Sequence, residues 1–81
     1  MKIIVNQCTK SVTVIFEEGE FKYRSVTMAA EPFCDGVAIY INTIKYWDDQ
    51  RGILINEQVK NRIIEILREE IRKYPSSKIV D

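Results

Sequence analysis

Two pairs of neighbouring carboxylates, Glu17-Glu18 and Asp48-Asp49, come nearest in this chain to acid–base chemistry. Such work needs two carboxyls whose surroundings push their pKa values apart. Adjacent acids in surface turns are both solvated, so neither pair reads as catalytic. The chain has no histidine, which excludes Ser/His and Cys/His nucleophile pairs and the usual general base near neutral pH. Cys8 and Cys34 stand alone in separate segments, with no Cys-x-x-Cys, whereas a zinc site needs about four Cys or His ligands. Gly19, Gly36 and Gly52 are isolated and read as turn residues rather than a phosphate loop. No catalytic residue, metal or cofactor is expected.

Recognition is the more informative chemistry. Phe21-Lys22-Tyr23-Arg24 could stack bases on its aromatic rings and hold phosphates. Glu17, Glu18 and Glu20 stand just before it and would repel a phosphate backbone, so the plainer reading makes Phe21 and Tyr23 core and turns Lys22 and Arg24 to water. The second aromatic cluster is Tyr46-Trp47 beside Asp48 and Asp49. Trp47 can close the open end of the core, its indole N–H tied to a loop carbonyl. With Tyr46 it can instead anchor a protein partner whose surface is basic. Both roles hold together if Trp47 fixes the loop while Asp48 and Asp49 face outward.

The elements that must position these residues are legible from periodicity. Strands are expected over about 2–6, 11–17, 21–28 and 37–42. In Ser11–Glu17 the apolar Val12, Val14 and Phe16 alternate with polar residues, the period-two signature of a half-buried strand. Phe21 and Tyr23 are out of phase with Val26 and Met28, and a bulge near Arg24-Ser25 would reconcile them. Glu31–Gly36 is expected as a loop. Val59, Ile63, Ile66, Leu67, Ile71 and Tyr74 recur at spacings of three and four, with Asn56 as N-cap and Pro75 as stop, which predicts a helix over 57–74. Lys78–Val80 can return as a short edge strand. The pattern is an α+β two-layer domain: a four-stranded antiparallel meander with one C-terminal helix on one face. One helix cannot cover four strands, so the other face, with Ile15 and Tyr40 on it, must be polar, curled over or used by a partner.

With 81 residues the default is one domain with a thin core. Twelve basic residues balance twelve acidic ones, which removes the simplest argument for a nucleic-acid or membrane ligand. Residues 31–60 carry five acids against three bases, so a modest acidic patch is expected there. No run approaches the length of a signal peptide or a membrane span. A cytoplasmic protein with free thiols at Cys8 and Cys34 is the expectation.

Tyr40-Ile41-Asn42-Thr43-Ile44-Lys45-Tyr46-Trp47 resembles a pattern of small bacterial immunity proteins: a tyrosine in a strand, then Ser or Thr, Ile, two residues and Trp. An Ile-rich segment (Ile53-Leu54-Ile55), a Lys-rich amphipathic helix and a short last strand complete the likeness, which covers Gly36 to Val80. This chain departs from it in having Asp48-Asp49 where a proline follows the Trp, and Pro75-Ser76-Ser77 where a glycine is usual. The resemblance implies a protein of a polymorphic-toxin or contact-dependent growth inhibition system. Such a protein binds a cognate toxin domain, often a nuclease, and neutralises it by occlusion without chemistry of its own. The partner-binding residues it implies are Tyr46 and Trp47 as anchors, with Asp35, Asp48, Asp49, Glu17, Glu18 and Glu20 as the complementary acids. The alternatives are a general interaction or self-associating module using the uncovered sheet face, and a small single-stranded nucleic-acid-binding sheet domain.

Overall fold

The computed structural model describes residues 1–81. The chain is α+β, with strands β1 (Lys2–Asn6), β2 (Ser11–Ile15), β3 (Ser25–Phe33), β4 (Gly36–Tyr40) and β5 (Lys78–Val80) and one helix, α1 (Glu57–Ile71). The five strands form one sheet in chain order. The meander from β1 to β4 is antiparallel, and β5 adds to β4 in parallel. A parallel neighbour requires a crossover, and α1 lies within it.

Valines and threonines alternate along β2, so Val12 and Val14 are buried while Thr13 is not. Val26, Met28 and Ala30 of β3 and Val37 and Ile39 of β4 continue that inner face, which Ile63 and Leu67 of α1 cover. The outer face carries Ser11, Thr13, Ser25 and Thr27, with Ile4, Ile15 and Tyr40 among them. It is mixed, with hydroxyl-bearing residues at its centre and these apolar side chains among them, so it meets the polar expectation only in part.

β3 differs most from the sequence pattern. It starts at Ser25, not Phe21, and runs through Glu31-Pro32-Phe33, so the expected loop there shrinks to the turn at Cys34-Asp35. Phe16 donates to the Arg24 carbonyl and accepts from the Tyr23 N–H. Two residues thus face one, the bulge that the phase shift called for, displaced by one residue. Tyr23 takes the left-handed conformation there, with φ 71°, and leaves the core.

β2 pairs with the first half of β3 and β4 with the second. The free side of Ser25–Ala29 is occupied instead by the segment after β4. Trp47 bridges Val26, Asp48 N–H donates to the Ser25 carbonyl, and the Thr43 hydroxyl accepts from Ala29 N–H. That segment opens with a single 3-10 turn, Ile41–Thr43, where the strand was expected to continue to 42. Asn56 Oδ1 caps α1 by accepting from Val59 N–H at 2.9 Å, and the helix ends at Ile71, three residues before the expected Tyr74. No helix is long and apolar enough to cross a membrane.

Candidate binding surface

Two loops leave the end of the sheet where β2 stops and β3 starts: residues 16–24, and residues 47–55 before the helix. Beneath them Phe16, Phe21 and Trp47 pack edge-on or tilted, with ring centroids 5.2–6.1 Å apart. Burial of Phe16 and Trp47 makes this trio the closing layer of the core, the structural role expected for Trp47. The hydrogen bond expected from its indole N–H to a loop carbonyl is not formed, and the group is not shut away from solvent.

Arg24 joins the two loops. Its guanidinium lies 4.3 Å from the centre of the Trp47 ring. Nη2 donates to Gln50 Oε1 at 2.9 Å and stands 3.5 Å from Asp49 Oδ1. Arg24 is therefore turned to the protein, not to water as expected. Asp48 makes a second joint. Its Oδ2 accepts from Ser25 Oγ at 2.8 Å and from Thr27 Oγ1 at 3.1 Å. With the Thr27 proton given to Asp48, the Thr13 hydroxyl 2.9 Å away donates to Thr27. Asp48 thus faces the sheet, which corrects the expectation that both acids of the pair face outward. Asp49 alone does so.

The remaining acids are dispersed. Glu17 pairs with the N-terminal ammonium at 3.1 Å and Glu20 with Arg62 at 2.6 Å. Glu18 has no hydrogen-bond or ion-pair partner. The hydrogen bonds that Arg62 donates to Glu20 and Glu65 raise its guanidinium pKa, and the one that Lys73 donates to Glu70 raises that of its ammonium. Asp35 lies in the β3–β4 turn, where Ser76 Oγ donates to it at 3.3 Å. β3 runs nine residues between the Asp48 end and the Asp35 end, about 26 Å at the usual strand rise. Asp35 is therefore outside the surface built by the other acids, and the surplus of residues 31–60 does not form one patch. The loops 17–24 and 47–54 together carry five acids against three bases.

What these loops hold outward is apolar. Gly52, at φ 95°, turns the second loop. Ile53 N–H donates to Gln50 and Ile55 N–H to Lys45, so both arms of the tip are tied. Between them Ile53 is 65% and Leu54 72% exposed, and Tyr23 on the first loop is 86% exposed. Tyr46, one of the expected anchors, is half-buried. Ile53, Leu54 and Tyr23 were absent from the sequence-derived set. A signal for the first two was present: adjacent branched apolar residues directly after a glycine, between a charged turn and a helix cap, with no alternation to place them in a strand.

Both cysteines are exposed free thiols. No three Cys, Asp or Glu side chains converge as metal ligands would. Comparison of the chain with protein-family models, with curated proteins and with solved structures returned no match.

Proposed function

We propose that the protein is an immunity-type binder that grips a bacterial toxin domain with the paired loops and neutralises it by occlusion. One observation carries this reading. Two loops, joined to each other by Arg24 and with the second tied to the sheet by Asp48, hold Tyr23, Ile53 and Leu54 in water amid surplus acid. Large apolar side chains held on a braced frame are the usual anchors of a protein interface. A rim of carboxylates around them speeds association with a basic partner such as a nuclease. The anchors differ from those the sequence pattern implied. Trp47 supports the surface from beneath, and Asp49, Glu18 and the outer edges of Glu17 and Glu20 supply its charge. A nucleic-acid platform is less well served. Phe21 is packed against Phe16 and Trp47, and Arg24 is spent on the loop joint, which leaves one aromatic ring, Tyr23, and one cation, Lys22, of that set facing solvent.

A growth assay tests the proposal. The toxin domain encoded next to this chain's gene is expressed with and without the protein. Restored growth is expected with the wild-type chain, and loss of protection with Leu54→Asp or Tyr23→Ala at unchanged fold. If the neighbouring domain is harmless, or kills regardless of this protein, the proposal falls. If Leu54→Asp and Tyr23→Ala both protect as well as wild type, the assigned surface is wrong.

A further inference from the structure

The phase of the sheet ladder determines which backbone groups of the edge strand β1 are free. Phe16 N–H donates to Arg24 and Ala30 N–H to Lys10, so the even-numbered residues of β2 bond to β3. Its odd-numbered residues, Ser11, Thr13 and Ile15, therefore bond to β1, where their register partners are Asn6, Ile4 and Lys2. Alternation leaves the N–H and C=O groups of Ile3 and Val5 pointing away from the sheet, along an edge that no other strand covers. Edge strands are normally guarded by charge, proline or a bulge. The middle of β1 is Ile3-Ile4-Val5, with none of these. Ile4 is 42% and Val5 41% exposed.

We propose that β1 pairs antiparallel with β1 of a second copy of this chain, about a two-fold axis at Ile4. In this register Ile3 of each copy faces Val5 of the other, and each such pair exchanges two backbone hydrogen bonds. It is the register that satisfies both residues from within the strand's own length. Ile4 meets Ile4 across the axis at a non-hydrogen-bonded position, where cross-strand side chains come closest. Lys2 falls opposite Asn6, so no like charges meet. On the helix side, Ile3 and Val5 line an apolar groove with Phe33, Val37, Ile71 and Tyr74. The axis is perpendicular to the sheet, so the grooves of the two copies open on the same side and abut. Zero net charge adds no long-range repulsion between copies. An interface of two five-residue strands is small for a stable dimer, so it forms at high micromolar concentration and dissociates on dilution. The inference is independent of toxin binding, because the loops of that surface are not part of β1.

Sedimentation velocity of the full chain over a concentration series tests it. Val5→Pro removes an N–H that points away from β2, so the intramolecular ladder is kept. Ile4→Lys and Ile4→Glu each place like charges face to face, on a side chain that already meets water. The wild-type chain is expected to dimerise, and each variant to weaken the dimer by about 100-fold or more while circular dichroism shows the native fold. An equimolar mixture of Ile4→Lys and Ile4→Glu should regain the dimer through an opposite-charge pair. A wild-type chain that stays monomeric up to about 1 mM overturns the proposal. So does a dimer that Val5→Pro and Ile4→Lys leave unchanged, and a mixture that stays monomeric overturns the axis at Ile4.

Discussion

Asp48 and Asp49 are neighbours of one type with different work. Asp48 satisfies two hydroxyls at once on the sheet, whereas Asp49 meets one guanidinium at the surface. Asp48→Ala leaves Ser25 and Thr27 without their acceptor and should cost about 1–3 kcal/mol in denaturant unfolding. Asp49→Ala should cost less than about 1 kcal/mol, as exposed ion pairs do. A measurement that ranks the two the other way removes the clamp from the account. Tyr23 poses the opposite case. A tyrosine in the left-handed region is held against its own preference, and its side chain touches little beyond the Lys22 ammonium, 5.0 Å from the ring centre. Tyr23→Gly should therefore stabilise the free protein by up to about 1 kcal/mol in thermal unfolding. The same change should weaken partner binding if the ring is an anchor. None of this was legible in the sequence. The inward turn of Asp48 depends on Trp47 lying beside Val26, a pairing between segments 21 residues apart. The strain at Tyr23 depends on where a bulge falls, and side-chain type does not report that.

At the scale of elements, the helix and the first two strands could be read directly, because each is set by a local period and local caps, although β2 stops at Ile15, two residues short of the expected end at 17. Asn56→Ala should cost about 1 kcal/mol, the usual worth of an N-cap. β3 was misplaced because aromatic Phe21 and Tyr23 look like strand residues, while Glu31-Pro32 look like a break. The structure inverts both. Phe21 is claimed by Trp47 and Phe16, and proline is tolerated near the end of β3 where only β4 pairs with it. Gly36 begins β4 for a reason that has no local signature. A Cβ there would stand 2.7 Å from the Ser76 carbonyl carbon and closer still to its oxygen. Gly36→Ala should accordingly cost about 1–3 kcal/mol, read as a lowered melting temperature. An unchanged melting temperature would mean that the 76–77 turn is free to move away.

Taken whole, the molecule rests on one thin layer, with only 14 of 81 residues buried. Met28, Ile39 and Leu67 sit in it together, so truncating any one to alanine should cost about 2–5 kcal/mol. For a domain whose total stability is on the order of 5–15 kcal/mol, that is enough to depopulate the native state visibly on urea titration. The outward side chains of Tyr23, Ile53 and Leu54 contribute nothing to this layer, and Leu54→Asp should leave the urea midpoint where it is. The parallel pairing of β5 also has a consequence for biosynthesis. β1 to β4 close through short local turns and can zip up as they emerge from the ribosome. β5 must find β4 across some forty residues, Ile39 against Ile79, and loop closure of that kind comes late. Until Lys78–Val80 are translated, one edge of β4 has no neighbour and α1 lacks the strand beside it. The newborn chain therefore passes through a stage with an open apolar seam, when a chaperone can act on it. Removal of Lys78–Val80 would make that stage permanent.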